Sequence, residues 1–230
     1  MQHEYSILDH DRGQIFQWIG TAIALLAAAY TVGFGAISQI VERIPAESWN
    51  SVPVWLTGNI PKILGMIPKA LDVGIAFALM YAAFNKWIWK TWIFKRYLNY
   101  RDLSGEWTVD GLTIGPLEAL DNGKSRSWQA TIIITQQWTK LSVRLRLQDS
   151  STSYSRSAAL QCVGDETLLM YSYANEPTMN ERHEKGLQTH IGYCELRFAE
   201  DGKTGHGSYF NNLGRVTYGE MTLNKAKGKK

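Results

Sequence analysis

Between Gly13 and Val41 the chain carries no Asp, Glu, Lys or Arg. At about 1.5 Å per residue, roughly 20 such residues cross a hydrocarbon core as a helix, and this run is predicted to do so over about 15–38. Removal as a signal peptide is disfavoured, because Glu4, Asp9 and Asp11 outnumber Arg12 ahead of the run and the run continues well past Ala27–Ala29. A second apolar stretch, VGIAFALMYAAFN, lies between Asp72 and Lys86 and is extended on both sides. Trp87, Trp89 and Trp92 alternate there with Lys86, Lys90, Lys95 and Arg96, as in an aromatic belt that merges into a basic collar. A second span is predicted over about 66–89. The collar puts the C-terminal half on the cytoplasmic side, two spans return the N-terminus to that side, and the Pro-containing stretch between them becomes an external loop.

Residues 97–230 have a different period. Short runs of Val, Ile, Thr and aromatics alternate in twos between turn residues such as Asp121-Asn122-Gly123, Gly164-Asp165 and Asp201-Gly202. Eight strands are predicted, near 105–112, 128–137, 140–148, 153–163, 167–175, 189–198, 204–210 and 215–223. Short links and the need to remove exposed edges favour a closed barrel. The expected fold class is membrane α plus all-β: two N-terminal transmembrane helices in a region 1–96, then an eight-stranded antiparallel up-and-down, lipocalin-like β-barrel over 97–230.

With an apolar lumen, alternation assigns the inward faces. Tyr154 and Arg156 share a face with Leu160 and Cys162; Tyr171, Tyr173 and Asn175 with Leu169; His190 with Cys194, Leu196 and Phe198; Arg215 with Met221 and Leu223. Each strand then has an apolar end and a polar or aromatic end, the chemistry of a small-ligand pocket at one mouth. Two inward arginines require an anion, either a ligand or rim carboxylates. Arg144 and Arg146 fall on the outer face.

The 16 basic and 15 acidic residues of 97–230 leave no extended cationic surface, since four of the lysines are in the terminal KAKGKK; binding of a nucleic-acid polymer is disfavoured and one small anionic nucleotide remains allowed. No H-E-x-x-H, C-x-x-C or G-x-S-x-G is present, and no enzyme activity or cofactor is expected. Cys162 and Cys194 are expected to be inward-facing reduced thiols. A membrane-anchored lipocalin-like carrier of a lipid or other apolar ligand is the alternative that the greasy end of the lumen allows.

Several short motifs occur in a fixed order: Leu103-Ser104-Gly105-Glu106-Trp107, Tyr173-Ala174-Asn175-Glu176-Pro177, His190-Ile191-Gly192 and Gly207-Ser208-Tyr209-Phe210-Asn211, followed by Arg215 and Gly219. Behind two predicted spans they resemble the two-transmembrane β-barrel effectors of bacterial CBASS antiphage systems. The resemblance implies a bacterial inner-membrane protein whose cytoplasmic barrel senses a cyclic di- or trinucleotide made by a partner nucleotidyltransferase. It further implies that ligand drives self-association and that the spans then disrupt the bilayer and kill the cell. The candidate ligand-binding residues are Tyr154, Arg156, Tyr171, Tyr173, Asn175, His190, Tyr209 and Arg215.

Overall fold

The computed structural model describes residues 2–8, 13, 15–22, 25, 73–92, 94, 101–116, 126–147, 150–185, 188–212 and 216–226. Two compact units are present, one made of residues 1–10 and 85–230, the other of residues 11–84. The first is a closed β-barrel. Its strands are β1 (His3–Ile7), β2 (Gly105–Gly115), β3 (Arg126–Gln136), β4 (Lys140–Leu147), β5 (Ser151–Val163), β6 (Glu166–Pro177), β7 (His190–Phe198), β8 (Thr204–Asn212) and β9 (Tyr218–Lys225).

Strands β2 to β9 run up and down, each antiparallel to its neighbours, with β9 returning to β2. The tight β5–β6 and β7–β8 links place Gly164 and Gly202 at φ +61° and +63°, a region that glycine occupies without the steric cost of a Cβ. Burial alternates strictly along β2, where Trp107, Val109, Gly111 and Thr113 face inward. The period-2 pattern of the sequence is thus the pattern of one wet and one dry face.

Closure depends on a strand that the sequence reading left out. Among the described residues β4 and β5 pair directly at Arg144–Tyr154, Leu145–Ser153 and Arg146–Thr152 and nowhere else. Beyond that, β5 bulges between Ser155 and Ser157, the two strands part, and β1 fills the seam, antiparallel to β4 at His3–Leu141 and parallel to β5 from Tyr5–Ala158 to Ile7–Leu160. Tyr5 and Ile7 are buried; Glu4 and Ser6, which alternate with them, are exposed. The barrel therefore has nine strands, which corrects the expected eight.

The predicted membrane spans are also corrected. Helix α1 (Val73–Lys86) has 14 residues, a rise of about 21 Å against a hydrocarbon core of roughly 30 Å. Among the described residues no helix is long and apolar enough to cross a membrane. This finding overturns the pair of membrane-crossing helices and, with it, the inner-membrane location deduced from two spans. The physical reason at α1 is local. Asn85 ends the helix by accepting, through Oδ1, the Thr139 N–H (2.9 Å) and hydroxyl (3.0 Å), while its carbonyl accepts the Trp138 N–H (2.9 Å). The chain turns there into a 3-10 turn, Ile88–Lys90. Residues 15–22 are helical; the rest of the first predicted span beyond Leu25, the predicted external loop and residues 66–72 lie outside the described residues.

One end of the barrel is sealed. Trp107, Trp138, Phe198, Leu141, Leu169 and Leu223 are fully buried there. The Trp107 ring lies 4.8 Å from that of Phe198, and Trp89 of the 3-10 turn lies 6.0 Å from Trp138. Leu103-Ser104-Gly105-Glu106-Trp107 is the entry to this base. Trp107 Nε1 donates to the Leu103 carbonyl (3.1 Å), the Leu103 N–H donates to Gln136 Oε1 (2.9 Å), and Gly105 stands at φ +136°.

Candidate functional site

The opposite end encloses a cavity of about 410 Å³, within the usual range for small-ligand pockets. Its walls come from the mouth-side ends of all eight long strands. Thr113 projects from β2, Trp128 from β3, Ser151 and Ser153 from β5, Tyr171, Tyr173 and Asn175 from β6, His190 and Cys194 from β7, and Tyr209 and Asn211 from β8; Thr217, just before β9, completes the ring. Inward glycines make room for the large rings. A Cβ on Gly111 would stand 2.2 Å from the Trp128 indole, and one on Gly192 would stand 2.5 Å from the Tyr173 ring. Glycine is therefore the residue that lets each ring lie flat across the neighbouring strand.

Two aromatic pairs result. Tyr171 and Tyr173 lie 6.0 Å apart, and Trp128 meets Tyr209 edge to face at 5.7 Å. The ring hydroxyls are anchored: Tyr173 donates to Asn211 Oδ1 (2.7 Å), Asn211 Nδ2 donates to Thr217 Oγ1 (2.7 Å), and the Tyr209 and Thr113 hydroxyls are 2.7 Å apart. Asn175 gives its Nδ2 protons to Ser151 (3.1 Å) and Ser153 (2.8 Å). Two rings and two amides are thus fixed before any ligand arrives, which lowers the ordering cost of binding.

Of the eight residues singled out from the sequence, Tyr171, Tyr173, Asn175, His190 and Tyr209 line this cavity. Tyr154 and Arg156 do not. Before the bulge the inward residues of β5 are Ser151, Ser153 and Ser155, and after it the inward residue is Leu160; counting back from Leu160 without the extra residue places Tyr154 and Arg156 on the wrong face. The expected inward direction of these two is corrected on that ground. Tyr154 instead lies outside against Arg144, whose guanidinium is 5.1 Å from its ring centroid, and Arg156 is exposed. Arg215 lies outside the described residues. Trp128, Thr113, Asn211 and the serines of β5 are cavity residues that sequence reasoning missed. The alternation of the predicted strand 128–137 carried that information for Trp128; Thr113 lies one residue past the predicted strand 105–112, whereas β2 continues to Gly115. Basic chemistry at the cavity comes, among the described residues, from the exposed Arg126 and from His190.

Deeper in the wall, Cys194 and Tyr171 hydrogen-bond to each other, and both groups are raised in pKa, first by burial; the thiol is pushed up to about 12. Both groups hold their protons more tightly in the folded chain than in the unfolded one. Their contribution is therefore fully present below the ordinary thiol value of 9.0 and is lost as pH rises toward 12. Urea midpoints measured from pH 8 to 11 are expected to fall above pH 9, with a shallower fall in Cys194→Ala. An equal fall in both would show that other groups control the alkaline transition.

The description "Cap15, cyclic dinucleotide receptor domain" matches residues 98–225. CD-NTase-associated protein 15 of Yersinia aleksiciae is 31% identical over 223 residues, which cover 97% of this chain and 97% of that protein.

Proposed function

This chain belongs to the Cap15 family, and from that premise we propose that it is a CBASS antiphage effector whose barrel senses a cyclic dinucleotide in the cavity. The observation that carries the reading is the pair of anchored aromatic walls. Every nucleobase has a π face, and stacking on an aromatic side chain contributes about 1–3 kcal/mol per base. A cavity with Tyr171 and Tyr173 on one strand and Trp128 against Tyr209 on others offers two such platforms, with amide and hydroxyl groups between them for base edges and Arg126 for phosphate. The ligand is supplied by a partner nucleotidyltransferase, as the name of the Yersinia relative suggests. In this reading the barrel is a sensor and not an enzyme. Ligand favours an associated state and so shifts the population toward assembly.

Calorimetry of the full chain against cyclic di-AMP, cyclic di-GMP and cyclic GMP–AMP tests the reading. Saturable binding of at least one is expected. Trp128→Ala should weaken it by about 1–3 kcal/mol, roughly 5- to 150-fold, and Arg144→Ala, outside the barrel, should leave it unchanged. Uptake of a long-chain fatty acid with no response to any cyclic dinucleotide would instead favour a lipocalin-like carrier.

A further inference from the structure

Asn175 gives the two protons of its Nδ2 to the inner face of β5, one to Ser151 (3.1 Å) and one to Ser153 (2.8 Å). All three side chains are buried in the wall of the cavity. A hydroxyl donates once and also accepts, and here each serine has its acceptor side turned to the amide. Among the described residues neither serine proton goes to a protein acceptor, and Asn175 Oδ1 has no partner, so the two serines alone set the orientation of the amide. A pair of O–H donors is left over. Both oxygens bond the same nitrogen, so they are neighbours and one group in the cavity can meet both.

The fold gives this pair a counterpart. Ser153 stands opposite Asn175, two residues toward the mouth from Tyr173 on β6, while on β3 Arg126 lies two residues toward the mouth from Trp128. β3 and β6 are on opposite walls, with β2, β9, β8 and β7 between them on one side and β4, β1 and β5 on the other. Each aromatic platform therefore has, on its mouth side, a group able to hold an anionic oxygen: a guanidinium at one wall and two hydroxyls at the other. The bulge makes this so. Without the extra residue between Ser155 and Ser157, alternation from Leu160 would turn Ser151 and Ser153 outward.

We propose that Ser151 and Ser153, oriented by Asn175, hold one phosphate of a cyclic dinucleotide while Arg126 takes the other. The assignment rests on the cyclic dinucleotide reading above and adds to it a second, uncharged phosphate site. Chemistry selects phosphate over a base edge. A base edge brings donors as well as acceptors, whereas the two serines offer their protons. A phosphodiester brings acceptor oxygens alone, and a hydrogen bond to a charged oxygen is the stronger kind. A ring of two nucleosides and two phosphates also has the pattern of this cavity, in which each platform is paired with one anion-holding group.

The test is calorimetry of the full chain with cyclic di-AMP, cyclic di-GMP and cyclic GMP–AMP, followed, for whichever binds, by its Rp,Rp and Sp,Sp bis-phosphorothioates. Sulphur is a weaker acceptor than oxygen, so at least one diastereomer should bind the wild type less well than the parent does. Ser151→Ala/Ser153→Ala should weaken the parent by roughly 10-fold or more. The penalty of that diastereomer should shrink by about 3-fold or more in the same variant, because sulphur and serine then perturb one contact. Ser151→Cys/Ser153→Cys fills the same space with a weak S–H donor; it should behave like the alanine variant, and it replaces that variant if circular dichroism shows the latter unfolded. Undiminished affinity in a folded variant, no sulphur penalty in the wild type, or weaker binding with the sulphur penalties unchanged would each overturn the proposal, the last by placing the serines on a base edge. A wild type that binds none of the three dinucleotides would sink the sensor reading and this assignment together; a wild type that binds, with serine variants that bind equally well, would sink the assignment alone.

Discussion

Replacing Tyr5 and Ile7 together by alanine is expected to lower the stability of the barrel by roughly 5 kcal/mol, a large share of the 5–15 kcal/mol that a folded domain typically has. Both side chains are buried, 4% and 9% exposed, and truncation removes their apolar contacts from a seam between β4 and β5 that, among the described residues, β1 fills. Tyr5 also donates to the Gln137 carbonyl (3.1 Å) and accepts from Gln136 Nε2 (3.4 Å), so its loss leaves two polar groups of the β3–β4 turn without that partner. With β1 loosened, the diverging stretches of β4 and β5 become open edges. Urea unfolding followed by circular dichroism measures the effect. An unchanged midpoint would mean that the N-terminal strand is not part of the barrel, and Glu4→Ala, exposed on the same strand, is the control that should change little.

The second large effect is at the base. Trp107→Ala should cost about 3–5 kcal/mol, because the indole is fully buried, packs on Phe198 at 4.8 Å and carries Lys225 Nζ 5.2 Å from the ring centroid. Its Nε1 is also the donor to the Leu103 carbonyl. Trp107→Phe keeps most of the packed volume but loses the donor and one ring of the indole, so it should recover more than half of the loss. Because Trp107 is at the sealed end, dinucleotide affinity measured well below the unfolding midpoint should be nearly unchanged in Trp107→Phe. A Phe variant as unstable as the Ala variant would place the main contribution in the hydrogen bond.

The barrel was legible because its strands alternate, and alternation is the direct signature of one dry face. Tyr171, Tyr173, Asn175 and His190 could be assigned to the lumen from strands with an unbroken register, such as β6, where nine consecutive pairs join Thr167–Asn175 to β7. Tyr154 and Arg156 could not. The stretch Ser153–Ser157 alternates small hydroxyls with Tyr and Arg, and no apolar residue there marks where the extra one sits, so the bulge leaves no trace in hydropathy. β1 was hidden for another reason: five residues are too few to reveal a period, and they pair with residues more than 130 positions away. The motif Leu103–Trp107 was visible as a motif, but its role in sealing the base depends on partners, Gln136 and Phe198, that only the fold brings near. Trp128 depends in the same way on Gly111 of the adjacent strand.

The chain leaves the barrel just after Leu8, whose N–H donates to the Leu160 carbonyl (3.0 Å), and rejoins it at Asn85, bonded to Trp138 and Thr139. Both fastenings are on the sealed half, away from the cavity. The two fastenings therefore tie the chain segments that border the barrel unit to its sealed half, and opening either, by Asn85→Ala at one or by the loss of β1 at the other, is expected to act on that half and to leave the walls of the cavity in place.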